Sequence, residues 1–438
     1  MTSSNRVVGS RHGHPYSCKV RWSRRDWMKM SAGAFAAFST GRGFSQSAPP
    51  VAPVAIARCR EYDPALLTEH VSTLFDQLGG IERMVAGKTV TIKLNLTGTP
   101  SQRFEGRPVG NTHYCHPNLV GVVCALLDKA GATRIRLVES GFGTAMSLEE
   151  YMLDAGWNVR DLRTAGKRIE FENTNAIGLG DRYTTLKVPN GGYMFPAFVM
   201  NHSYEDTDVF MTLAKLKNHY TCGVTLSLKN SFGITPSSIY GGDAGVDEPN
   251  ESPTQGRGPL HDGSRQPASI APPEHDPTTP RHDGYRVPRI VADLALARPI
   301  DLQLVDGIET MIGGEGPWVG GGIAGALRFG APGLLIAGLN PVCTDTVGTA
   351  VMGYDPRAER GSIPFRNCDN TMLLAEQHGV GAADLSRIDV RGVSIAEARF
   401  PFEPAPAAGA TGLHRRESAE QEAVPGANPA PAAARPRG

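Results

Sequence analysis

Leu66, Leu67, Val71, Leu74, Phe75 and Leu78 recur at helical spacing and predict an amphipathic helix over 64–80. The run Val90-Thr91-Ile92-Lys93-Leu94-Asn95-Leu96 predicts a strand that ends in polar residues and a loop. Pro117 opens a second helix to about Lys129, closed by Ala130-Gly131-Ala132, because a helix start has no use for the missing proline N–H and glycine tolerates a helix end. Ile135-Arg136-Leu137-Val138-Glu139 is the next strand. Strand, loop, helix, glycine and strand in that order form a βαβ unit, which requires parallel pairing with a right-handed crossover. Further strands are expected at Val209 to Leu213, Leu302 to Asp306, Gly333 to Gly338 and Arg387 to Val390, with helices at 290–297, 342–352 and 371–378. The expected fold is α/β, a mostly parallel sheet with helices on both faces and a long loop insertion. Residues 222–232 fit two patterns: Val224, Leu228 and Phe232 a helix capped by Gly233, and Val224, Leu226 and Leu228 a strand.

Outside these periodic segments the composition changes. Residues 1–25 carry Arg6, Arg11, Lys19, Arg21, Arg24 and Arg25 with no acid, and Ser23-Arg24-Arg25-Asp26-Trp27-Met28-Lys29 precedes a weakly apolar stretch from Met30 to Phe38. This pattern predicts a twin-arginine signal over 1–47, cleaved near Ser45-Gln46-Ser47-Ala48, with the twin-arginine translocase as a partner and a periplasmic or secreted destination. Residues 48–60 read as a Pro/Ala-rich linker and 61–403 as the α/β domain. Residues 236–287 hold Pro, Gly, Ser, Asp and His with little periodicity, which predicts a partly ordered insertion near the site. The tail from 404 to 438 is Ala/Pro-rich and is expected to be disordered.

The whole chain has 438 residues, 40% of them hydrophobic, enough for one large core. Lys plus Arg equals Asp plus Glu at 44 each, so no charge excess points to nucleic acid or acidic lipid as a partner. No apolar run reaches the roughly 18 residues a membrane span needs, so no transmembrane segment is expected in the mature form. Six cysteines remain after the leader, an even number that permits disulfides in an oxidising compartment. No C-x-x-C pair or ferredoxin-type spacing occurs, so an iron–sulfur cluster is not expected.

The densest chemistry follows the apolar run Val209-Phe210-Met211-Thr212-Leu213. Lys215, Lys217, His219, Cys222, Lys229 and Asn230 come within a short stretch after it. In open α/β sheets ligands bind outside the carboxyl ends of strands, so cations there point to an anionic small molecule. Lys93 with Asn95, Glu139, and Asp306 with Glu309 and Glu315 fall at other predicted strand ends or loops. Lysines in a dry crevice stabilise developing oxyanions or act as bases; the plainer reading makes Lys93 and Lys229 structural partners of buried carboxylates such as Glu139 and Asp306.

Thr112-His113-Tyr114-Cys115-His116 and Asn218-His219-Tyr220-Thr221-Cys222 each place His, Tyr and Cys close together. If the two segments meet, His113, Cys115, His116 and Cys222 offer ligands that suit a transition metal, although the spacing matches no established motif. The glycine run from Gly313 to Gly322 allows tight turns that could hold an anion, but lacks the P-loop lysine. Asn340-Pro341-Val342-Cys343-Thr344-Asp345 reads as a helix start in which Asp345 complements the helix dipole.

Over roughly 85–395 the chain resembles the uncharacterised family known as domain of unknown function 362. The resemblance rests on Ile92-Lys93-Leu94-Asn95, the run from Lys215 through His219 to Gly233, Val305-Asp306-Gly307-Ile308, Gly314-Glu315-Gly316-Pro317 and Asn340 to Asp345. It implies an α/β domain and weight on the Lys215–Gly233 segment. Some members are fused to iron–sulfur modules, an arrangement this chain lacks, and the family supplies no agreed reaction. The expectation is an exported enzyme acting on an anionic small molecule, with Lys215, Lys217 and His219 as catalytic groups. Lys93, Asn95, Lys229, Asn230, Glu139, Asp306 and Glu315 would bind the ligand, with redox or metal assistance. The alternatives are a periplasmic ligand- or metal-binding accessory protein without turnover, and a scaffold.

Overall fold

A computed structural model describes residues 48–175, 183–320 and 327–404. The chain divides at Ser47/Ala48, and all described residues lie in the second unit. The expected export signal over 1–47, Gly321 and Gly322 of the glycine run, and the tail beyond 404 lie outside them.

The strands, in chain order, are β1 (Val54–Arg58), β2 (Thr89–Lys93), β3 (Arg134–Glu139), β4 (Ile169–Asn173), β5 (Tyr183–Lys187), β6 (Ala197–Asn201) and β7 (Val209–Lys215). They continue as β8 (Asn218–His219), β9 (Gly223–Val224), β10 (Leu302–Gly307), β11 (Thr310–Ile312), β12 (Arg328–Gly330), β13 (Leu334–Gly338) and β14 (Val390–Gly392). Eight of them form one sheet in the order β14-β1-β13-β10-β7-β2-β3-β4. Neighbours run parallel except at β13, which is antiparallel to both β1 and β10. The α/β class with a mostly parallel sheet is therefore correct.

Successive side chains on a strand face opposite sides, and β7 shows the result. Met211 and Leu213 belong to the same core cluster as Leu119, Val120 and Val123 of the Pro117–Lys129 helix, while Phe210 belongs to the cluster that holds Val287, Ile290 and Val291 of the Asp283–Ala297 helix. Each such buried aliphatic side chain contributes roughly 1.5–3 kcal/mol. The helix starts follow local chemistry. Asp63, His116 and Asn340 each accept a backbone N–H from the first turn of a helix that begins with proline.

Some expectations are corrected. The supposed linker contains β1, whose Val54, Ala55 and Ile56 are buried between β13 and β14. Its apolar run is short and flanked by prolines, so composition masked a strand supported on both sides by partners. Arg387 ends a short 3-10 turn, and β14 begins only at Val390. The ambiguous segment 222–232 is both things in turn. Gly223–Val224 pairs with Asn218–His219, and a helical turn, Ser227–Asn230, follows the kink at Leu226, where φ is 58°. The insertion contains the helical turns Ser237–Tyr240 and Gly258–Asp262 and packs Tyr240 and Leu260 into the core. All six described cysteines are unpaired and buried. Among the described residues no helix is long and apolar enough to cross a membrane.

Candidate functional site

The connection from β2 leads to β3 on one side, and that from β7 leads to β10 on the other. Adjacent parallel strands whose connections diverge leave a crevice at their carboxyl ends, the usual ligand position in open sheets. Here it is a cavity of about 70 Å³ whose lining includes Lys93, Asn95, Glu139, His219, Lys229, Asn230, Phe232 and Arg257. That space holds on the order of five water molecules or one small anion.

Lys93 ends β2 and forms a buried ion pair with Glu139 at the end of β3. Its Nζ also donates to Leu94 O at 2.7 Å. Glu139 accepts the backbone N–H groups of Leu96 at 2.7 Å and Ser140 at 2.9 Å, so each carboxylate oxygen has at least one donor. Gly233 packs against the pair, and a Cβ there would lie 2.8 Å from Lys93 Nζ. Burial lowers the Lys93 pKa against the opposing pull of Glu139.

Lys229 and Arg257 are different. Among the described residues, neither has a carboxylate within ion-pair distance. Lys229 sits 4.4 Å from the centre of the Phe232 ring. Burial lowers its pKa from 10.5 to about 8, partly offset by Cys222 and Glu315. The Arg257 guanidinium donates to Ser140 Oγ at 2.8 Å and Thr235 O at 3.1 Å, both neutral acceptors. The cavity thus carries two cationic side chains beyond the one that Glu139 neutralises.

His219 is placed by the β8–β9 hairpin. Its Nδ1 accepts the Thr221 backbone N–H at 3.1 Å, so the ring proton resides on Nε2. Burial, reinforced by Lys229, His261 and Lys217, holds the imidazole pKa well below 6.5. In this state His219 is a neutral hydrogen-bond donor, and its Nε2 offers no lone pair to a proton.

The other predicted residues serve different ends. Lys215, fully buried, pairs with Asp306 at 3.0 Å and donates to Gly110 O at 2.7 Å and the Tyr62 hydroxyl at 2.9 Å. Asp306 in turn accepts from Tyr62 Oη at 2.8 Å and from the His116 backbone N–H at 3.1 Å. Lys217 Nζ donates to His113 O at 2.8 Å and Glu315 O at 2.9 Å, tying the loop after β2 to the glycine-rich loop. Burial holds its pKa well below 10.5. Glu315 accepts the Tyr220 N–H at 3.0 Å, and burial raises its pKa. Lys215, Lys217, Asp306 and Glu315 do not line the cavity. The carboxylate partners are Lys93 with Glu139 and Lys215 with Asp306; Lys229 pairs with neither.

The four metal-ligand candidates do not come together as one group. His116 Nδ1 caps the Pro117 helix at Asn118 N, 3.2 Å, and its ring stacks on Tyr62 at 3.7 Å. His113 Nδ1 contacts Thr112 Oγ1 at 2.9 Å, and burial lowers its pKa to about 2. Burial pushes the Cys115 thiol up to about 12 and the Cys222 thiol to about 11, which keeps both protonated. Among the described residues no three His, Cys, Asp or Glu side chains are grouped to hold a metal ion, and these four form no such group.

Arg257 escaped sequence reasoning, and Asp345, read as complementing its own helix dipole, serves another element. Arg257 lies in an aperiodic insertion, where no spacing marks a residue that folds back to a strand end. Asp345 lies buried in the Pro341–Val351 helix and reaches across to accept the N–H groups of Ser227 at 2.9 Å and Leu228 at 2.8 Å. It thereby caps the turn that carries Lys229 and Asn230, next to the positive φ of Leu226, a conformation that costs a non-glycine residue of order 1–3 kcal/mol. Asp345→Asn turns one acceptor into a donor and is expected to cost about 1–3 kcal/mol in urea unfolding. Burial raises the Asp345 pKa from 3.8 to about 7. The folded protein therefore holds this proton more tightly, and the stability it contributes is complete below about pH 4 and lost as the pH rises through about 7. Unfolding free energies at pH 5 and 8 check this. The wild type should fall more between them than Asp345→Asn, and equal slopes would refute it.

Fold and cavity together define an α/β protein with a cationic cavity at the strand ends. A family model described as a domain of unknown function (DUF362) matches residues 90–350, and the chain belongs to that family. A thylakoid-associated protein of Synechocystis sp. (strain ATCC 27184 / PCC 6803 / Kazusa) is 26% identical over 190 residues, 43% of this chain and 52% of that protein. The chain thus spans about half the length of this curated relative. A crystal structure of a Thermotoga maritima protein aligns over 58% of this chain and 52% of that one, at 12% identity and a TM-score of 0.32.

Proposed function

We propose that this protein is an enzyme that binds a small anion in the strand-end cavity, where Lys229 gives or takes a proton. Lys229 and Arg257 hold the negative charge, and neutral His219 donates from Nε2. The observation that carries this reading is the pair of cationic side chains, Lys229 and Arg257, lining a small cavity with no carboxylate within ion-pair distance of either among the described residues. A lysine whose pKa is about 8 changes protonation near neutral pH, as a general acid or base requires.

Ligand-observed NMR on the full chain with a mixture of small carboxylates and phosphates tests it. At least one anion should show line broadening and conversion to a new species. Broadening without conversion would make the protein a binding protein, and no broadening would refute the anion site.

A further inference from the structure

We infer that the anion accepted by this cavity carries its own O–H donor, as hydrogen phosphate and short hydroxycarboxylates do. This rests on the anion-site reading above and narrows its ligand class. The reason is an orphaned acceptor. Asn230 Nδ2 donates to Lys93 O at 3.3 Å, which turns Asn230 Oδ1 toward Lys93 Nζ at 3.4 Å and Asn95 Nδ2 at 3.2 Å. Reversing Asn230 would set its amide donor against Lys93 Nζ and Asn95 Nδ2, and reversing Asn95 would set its oxygen against Asn230 Oδ1, so the chain of contacts fixes both orientations. Asn95 Oδ1 is left buried without a partner, although Asn95 lines the cavity.

A buried acceptor without a donor is costly. Lys229 and Arg257 bring donors to the site, as does His219 Nε2, and both oxygens of Glu139 already accept from Lys93, Leu96 N and Ser140 N. The site therefore combines positive charge with a buried acceptor, Asn95 Oδ1, that has no partner. A ligand that satisfies both has negative charge and a neutral donor beside it. An ammonium donor would be repelled by Lys229 and Arg257, and among neutral donors the hydroxyl is the smallest that a compact anion carries in a cavity of about 70 Å³. Sulfate and simple carboxylates match the charge but bring no donor at neutral pH.

Isothermal titration of the full chain at about pH 7 with phosphate against sulfate, and glycolate against acetate, tests this. The hydroxyl-bearing member of at least one pair should bind about tenfold or more tightly, as expected for filling an unmet buried acceptor. Preference in the first pair only identifies hydrogen phosphate, and in the second only a hydroxycarboxylate. In Asn95→Ala, checked for folding by its melting curve, the preference should shrink to within about twofold while sulfate and acetate affinities persist. Equal affinities within both wild-type pairs would overturn the inference while leaving the anion site standing, as would a preference that survives in Asn95→Ala. If no anion binds, or if all bind Lys229→Met as well as wild type, the anion site itself fails and this inference fails with it. The wild-type pairs decide the matter even if the variant does not fold.

Discussion

Lys229→Met is expected to weaken anion binding by about 100-fold or more while making the protein more stable. Methionine keeps the length and apolar stem of lysine but removes a charge that burial disfavours. The drop in pKa from 10.5 to about 8 records that cost. At 1.36 kcal/mol per pKa unit, the relief at neutral pH is of order 1–3 kcal/mol, seen as a higher urea midpoint. Between about pH 8 and 10.5 the unfolded chain holds the lysine proton more tightly than the folded one. Wild-type stability should therefore rise with pH across that window, and Lys229→Met should lack the rise. Anion affinity follows the opposite trend and falls as the pH climbs through about 8, because the binding form is the ammonium. Titration and unfolding over pH 6–10 measure both. A destabilised variant with unchanged affinity would make Lys229 a structural residue.

Lys215→Met should do the reverse, destabilising the protein by about 3–5 kcal/mol. This lysine ends β7, but its charge faces Asp306 inside the core rather than the cavity. Removing it leaves Asp306 buried without a countercharge and deprives Gly110 O and the Tyr62 hydroxyl of a donor. Substituting Leu for Asp306 in the same background removes the stranded carboxylate and should recover part of the loss, since an apolar pair of similar volume replaces a buried ion pair at little cost. Chemical denaturation of the two single variants and the double variant measures the coupling. A cost below about 1 kcal/mol for Lys215→Met would contradict the buried-pair account.

The opposite expectations for these lysines show how far the chain could be read without its fold. Both follow the same apolar strand and both are cations near glycines and asparagines. The residue after which β7 stops, and the partner that β10 brings beside it through the register Asp306↔Lys215, separate them. Lys93 and Glu139 were legible as strand-end residues because β2 and β3 are pure period and the intervening helix begins at proline. Their pairing follows from parallel alignment of those two strands. Arg257 was not legible, because its place depends on how an aperiodic insertion folds back. Asp345 was read as serving its own helix, whereas its carboxylate caps another.

The sequence by itself determined β2, β3, β7, β10 and β13 of the sheet and the helices that begin at Pro64, Pro117 and Pro341, because hydrophobic period, proline starts and glycine ends are local properties of the chain, whereas β1 and β4 escaped it. It also placed Lys93, Glu139, Lys215 and Asp306 at strand ends, which is a matter of where apolar runs stop. Tertiary structure decided the rest. Strand order put β7 beside β2, insertion folding brought Arg257 to the cavity, and burial divided the lysines into those neutralised by carboxylates, one tied to carbonyls, and one, Lys229, that lines the cavity without a carboxylate in ion-pair range among the described residues. These outcomes turn on charges that are distant in sequence and near in space, and on how much water each retains, neither of which is written in local spacing.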